Sequence, residues 1–228
     1  NLLVDFLLPL LTLSGFAGLF VLKNKPVQSI LYFLLLGGTL GIIKNSSIFF
    51  FICLACFFLY CQWQNGGTWL TKSVLLMRGM IVVAVSLTPL LVWNLHVKTN
   101  FPSSKHEVSI TEYQQIFNEK NSEVLQQITN QFFKTIFDIH TISTQGFVLI
   151  QIVLIGMWCV SHFYLKKKAP FLKELFLLDS ICIAYYVGIY AMFLFSMPTD
   201  EALTLAGFDR YASSIIIMNI GLAAFFIV

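Results

Sequence analysis

Apolar blocks of membrane-spanning length, repeated along most of the chain, decide what this sequence can fold into. They cover roughly residues 2 to 22, 27 to 43, 47 to 61, 74 to 95, 146 to 165, 172 to 195, and 213 to the end. A bilayer core needs about 17 to 25 residues of α-helix to cross it, whereas a membrane barrel would show short strands of alternating polarity. The expected fold is therefore all-α, a polytopic transmembrane helical bundle of about seven spans with a partly helical external loop. With 57% hydrophobic and only 11% charged residues, an ordinary soluble domain is excluded. The expected organisation is N-terminal transmembrane helices over 1–95, an external amphipathic helical loop over 96–145, and C-terminal transmembrane helices over 146–228. The last group contains a short external loop, 196–212. The second and third spans, joined by "KNSS", allow either a tight hairpin or a partly re-entrant pair. Gly37, Gly38 and Gly41 on the second span suit close helix packing. The chain starts without methionine and stops within an apolar run, so a piece of a longer protein is expected.

Charge sets the orientation. Lys23 and Lys25, Lys72 and Arg78, and Lys166, Lys167, Lys168 and Lys173 fall on alternate connections, which the positive-inside rule places in the cytoplasm. The opposite side then receives the loop 96–145, the segment 196–212 and every acidic residue except Glu174 and Asp179. The net charge of +3 gives no basic face for nucleic acid. All five cysteines lie in or beside apolar blocks, so no disulfide framework is implied, and Cys53-x-x-Cys56 has no second pair or histidine to make it a metal site.

The long loop has its own helical signals. Ser109 and Glu112 form a capping box, and Val124, Leu125, Ile128, Phe132, Ile136 and Ile139 recur at near-helical spacing. With Phe133 and Phe137, the second helix suits the headgroup region or the mouth of the bundle, as a cap or as a lid over a lipid-linked substrate. Lys120 reads as an indifferent loop position, suited to serve as a control.

The densest polar cluster is "SMPTDEALTLAGFDRYASS", Ser196 to Ser214. Pro198, Thr199, Asp200 and Glu201 suit a helix start, and a short external helix ended by Gly207 is expected. Asp209, Arg210 and Tyr211 follow at the outer mouth of the last span. Arg210 either snorkels or pairs with Asp209, or faces a cavity and grips an anionic substrate, for which a guanidinium is well shaped.

The stretch "GIYAMFLFSMPTDEALTLAGFDRYASSIII", with the many spans and large external loop, resembles bacterial multispanning proteins of cell-envelope polysaccharide assembly. That group comprises C-type glycosyltransferases and oligosaccharide-unit polymerases and ligases. The resemblance implies a polyprenyl-phosphate-linked sugar donor, handled at the outer face of the bacterial cytoplasmic membrane, and other envelope-assembly proteins as partners. It further implies that Arg210 holds the lipid diphosphate with Tyr211 beside it, while Asp209, Asp200 or Glu201 acts as base or holds a divalent metal. The C-type enzymes place an essential acidic residue in the first external loop, and only Asp5 can take that part here. Asp5 is otherwise an interfacial carboxylate.

His96 and His140 flank the long loop and could meet at its base as substrate contacts. Neither they nor His106 and His162 form a recognised metal-ligand spacing. Within the spans, Asp179 is expected to pair with Arg78 or a nearby lysine. Two other functions stay open, a transporter or flippase of a lipid-linked or small polar substrate, and a non-catalytic membrane scaffold.

Overall fold

Lipid offers the backbone no hydrogen bonds, so each apolar block must satisfy its own N–H and C=O groups by coiling. A computed structural model describes residues 2–44, 47–100, 116–117, 120–164 and 171–227, and among the described residues every regular element is helical. Among these described residues five stretches are long and apolar enough to cross a membrane: Pro26–Ile43, Ser47–Gln64, Trp69–Asn100, Ile142–Tyr164 and Leu172–Phe195. Asp5–Val21 is a shorter apolar helix. The protein is an all-α helical membrane bundle. Its chain divides into two compact units, Asn1–Glu107 and Val108–Val228.

The first unit contains α1 (Leu2–Val21), α2 (Pro26–Ile43), α3 (Ser47–Gln64), α4 (Trp69–Ser86) and α5 (Thr88–Asn100). Helices α2 and α3 have 18 residues each, about 27 Å of helix, long enough for each to cross a membrane. Their seam is aromatic. Phe33, fully buried, stacks on Phe58 at 4.4 Å between ring centroids and tilts against Phe51 at 6.1 Å. The expected fourth span, 74 to 95, is longer and interrupted. Thr68 and Thr71 cap its start reciprocally, so the helix begins at Trp69. It breaks around Leu87, because Pro89 supplies no N–H to continue the ladder. The glycines of α2 seat this break. A Cβ at Gly38 would stand 3.5 Å from the Pro89 ring, and one at Gly37 only 3.1 Å from the Phe51 ring. That close approach is the packing role expected of them.

The two ends of this unit differ in charge. At one end Asn65 donates to the Lys23 carbonyl at 2.6 Å and the Lys72 ammonium lies over the Trp63 ring at 5.4 Å. At the other, Lys44 Nζ meets Asp5 Oδ1 at 2.6 Å.

The second unit contains α6 (Ser122–Ile136), α7 (Ile142–Cys159), α8 (Phe171–Phe195), α9 (Thr199–Leu203) and α10 (Phe208–Ile227). A π-helical turn, Val160–Tyr164, extends α7. The three long helices pack on one another. Leu178, Cys182, Tyr185, Ile189 and Phe193 give α8 its buried stripe, and Ala212, Ile215, Met218 and Leu222 give α10 its own. A Cβ on Gly146 of α7 would meet Ile216 of α10 at 2.7 Å, so these two backbones run close. Among the described residues Asp179 accepts a hydrogen bond from Gln151 Nε2 of α7 and makes no ion pair, and the nearby Lys166, Lys167 and Lys168 lie outside them.

Candidate functional site

The polar residues singled out in the sequence gather mainly at the end of the second unit where α8 stops. A helix that ends leaves its last carbonyls without partners, and here a lysine supplies them. Lys120 Nζ donates to the carbonyls of Phe193, Leu194 and Met197 at 2.7, 2.8 and 2.8 Å. Three donors meet three acceptors, so the ammonium is fully satisfied at the negative end of α8. The side chain is buried, and that burial pushes its pKa below the usual lysine value. Phe117 stacks on Phe195 at 4.9 Å beside it. Lys120 is therefore a structural anchor and not an indifferent loop position. Nothing local in the sequence signals this, since its partners lie 73 to 77 residues away.

Immediately after this anchor α6 begins, with Asn121 Oδ1 accepting from the Val124 N–H as its cap. The amphipathic pattern docks as a cap over the bundle mouth. Ile128 and Phe132 are buried, and Phe132 meets Tyr190, Phe193 and Phe208 at centroid distances of 5.0, 6.2 and 5.7 Å. Thr129 Oγ1 and Tyr190 Oη share a hydrogen bond of 2.8 Å. Phe133 and Phe137 stay exposed. The capping box at Ser109 and Glu112, together with His106, lies outside the described residues.

The opening cluster folds as a helix, a turn and a second helix. The short helix α9 ends at Leu203, earlier than expected, because Leu205 and Gly207 take left-handed backbone at φ 49 and 79, which an α-helix cannot absorb. That turn lets α10 begin at Phe208 rather than at 213. Asp209, Arg210 and Tyr211 thus form the first turn of α10 instead of preceding it. Phe208 is buried between Phe132 and Tyr186, which fixes where the next residues emerge. Asp209 is exposed and Arg210 half-buried. The guanidinium folds back over Gly207, where a Cβ would come within 2.6 Å of Arg210 Nη2, and its Cζ lies 5.9 Å from the Tyr211 ring centre. Gly207 thus serves twice, for its backbone and for the room it leaves Arg210.

Beside α9 runs an open groove of about 460 Å³ lined by Gln127, Asn130, Gln131 and Lys134 of α6 and by Leu203. Its polar residues recur at helical spacing on a face of α6 that flanks the docked one, a stripe readable in the sequence. Primary amides both donate and accept, and an ammonium attracts anions, so the lining suits a hydroxyl-rich or phosphorylated molecule.

Asp200 and Glu201 are exposed on α9, and His140 is exposed in the turn between α6 and α7, its backbone N–H bonded to Asp138. His96 belongs to the first unit, on α5, against Trp93 and Asn100. Asp5 also lies in the first unit, buried and held by Lys44. Among the described residues no three His, Cys, Asp or Glu side chains converge as metal ligands.

Comparison with known proteins adds no kinship: no family model, no curated protein and no solved structure matches the chain.

Proposed function

We propose that this chain belongs to a membrane glycosyltransferase or polymerase that builds or modifies a cell-surface polysaccharide. It uses a polyprenyl-phosphate-linked sugar at the outer face of the bacterial cytoplasmic membrane. One observation carries this reading. The end of the second unit presents a half-buried arginine, three exposed carboxylates and an amide-lined groove around a membrane bundle otherwise poor in polar side chains. The resemblance of the Arg210 segment to envelope-polysaccharide proteins supports it.

In this mechanism the groove residues Gln127, Asn130, Gln131 and Lys134 hold sugar hydroxyls. Asp209 accepts the proton of the acceptor hydroxyl, whose oxygen forms a bond to the anomeric carbon as the bond to the lipid diphosphate breaks. Arg210 stabilises the negative charge on the departing diphosphate, with Tyr211 beside it. Asp200 and Glu201 are the alternative bases. Asp5, already paired, keeps a structural task.

The test uses the full-length protein in cells that display the polymer. Arg210→Ala and Asp209→Asn should each cut surface polysaccharide by about a hundredfold or more at equal expression. Glu123→Ala, exposed in the first turn of α6 and outside the groove lining, should leave it unchanged. Polymer at the parental level in both site variants removes the reading.

Orientation has its own check. In a background freed of the native cysteines, Pro198→Cys should react with an impermeant thiol reagent added outside, and Lys167→Cys should not. The reverse pattern places the cluster in the cytoplasm and rules out an external donor site.

A transporter or flippase is the second reading, favoured by polar groups inside the second unit. Gln151 and Asp179 are hydrogen-bonded within it, and the buried Asn219 side-chain carbonyl accepts no hydrogen bond among the described residues. Lipid-linked sugar trapped on the cytoplasmic face after Asn219→Leu would favour it over transfer chemistry.

A further inference from the structure

The first unit carries a cation that neither the fold nor the proposed chemistry employs. Arg78 lies six residues beyond Lys72 on α4, about 9 Å further along the helix axis. It borders a groove of about 550 Å³ whose other lining residues, Ile30, Val74, Met77, Ile81 and Val82, are all apolar. Val74, Met77 and Ile81 are 58, 69 and 63% exposed, so this face is open along α4. Arg78 makes no ion pair among the described residues. A guanidinium on a membrane-facing helix is costly without an anion, and lipid phosphates lie within the reach of a snorkelling arginine.

Charge and shape together name the occupant. Lys23 and Lys72 stand at the same end of the unit, tied there by the Asn65 bond to the Lys23 carbonyl and by the Lys72 contact with Trp63. A basic rim above an apolar furrow complements a negative headgroup on an acyl chain. A free anion would gain nothing from the furrow, and a zwitterionic lipid, whose ammonium offsets its phosphate, would gain less from the rim.

We infer that the groove between α2 and α4 binds an anionic glycerophospholipid, its phosphate on Arg78 and one acyl chain along Ile30, Val74, Met77 and Ile81. Guanidinium offers paired donors to phosphate oxygens, so one headgroup is held in a fixed place rather than attracted diffusely. The site does not depend on the proposed transfer chemistry.

Native mass spectrometry of the full chain released from nanodiscs tests this, with phosphatidylglycerol and phosphatidylcholine present in equal amounts. The parental protein should retain phosphatidylglycerol preferentially. Arg78→Gln should reduce that retention about fivefold, the effect of one basic residue at an anionic surface. Arg78→Lys should keep most of it, which separates lost charge from lost folding. Ile30→Trp, which fills the furrow with Arg78 intact, should also release the lipid, and Lys98→Gln should not. Glycerol 3-phosphate, a headgroup without chains, should displace nothing. Equal retention of the two lipids overturns the site, as does full retention by Arg78→Gln or Ile30→Trp, or displacement by glycerol 3-phosphate.

Discussion

Replacing Lys120 with methionine should lower the unfolding free energy by about 3 to 4 kcal/mol. Methionine keeps the length and the apolar stem and removes the ammonium. The carbonyls of Phe193, Leu194 and Met197 then lose their shared donor in a buried position. Bonds to a charged donor contribute roughly 1.5 to 3 kcal/mol each, and partial entry of water keeps the total below their sum. Arginine should restore only part of the loss, because a planar fork cannot point donors at three carbonyls arranged around one nitrogen. Thermal unfolding in detergent, with protease digestion as a second readout, measures the effect. A loss below about 1 kcal/mol would mean that the α8 terminus is held by Phe117 stacking on Phe195 and not by the ammonium.

Truncating Phe132 to alanine should be at least as damaging, at about 3 to 5 kcal/mol. Its ring is 2% exposed and touches residues of both α8 and α10. The edge-to-face contacts with Phe193 and Phe208 add to the area lost. Phe133→Ala and Phe137→Ala, at 50 and 74% exposure, should change stability by less than about 0.5 kcal/mol. The same unfolding assay ranks all three. Equal effects would show that α6 is held by its outer face rather than by its docked one.

How far these elements could be foreseen depends on the solvent each one meets. The spans were legible because lipid demands a continuous apolar surface, and that demand is written into composition. It also hides which side packs. On α8 the buried Cys182 and Ile189 and the exposed Ile183 and Val187 are all apolar, so no periodicity separates them. Helix α6 lies outside the spans, and its pattern announced the helix and its two buried residues, Ile128 and Phe132, although Ile139 lies beyond its end and is exposed. The start of α4 was missed because its capping box pairs Thr68 with Thr71 rather than with a glutamate. At the candidate site, proline, acidic residues and glycine marked the short helix and its turn, since those residues act on their immediate neighbours. The Lys120 anchor and the Asp5–Lys44 pair were invisible because each draws on residues distant in sequence.

The Lys120 anchor has a consequence for chain length. A loop fastened partway along is two shorter loops, each with its own closure entropy. That cost grows only as the logarithm of length, so each doubling adds about 0.6 kcal/mol. Residues inserted ahead of Ile116 lengthen the first of these and leave the second, from Lys120 to the start of α7, unchanged. The placement of α6 is thereby insulated from the size of everything between α5 and the anchor. One residue added between Lys120 and Ser122 would instead rotate α6 by about 100° and turn Phe132 out of its socket.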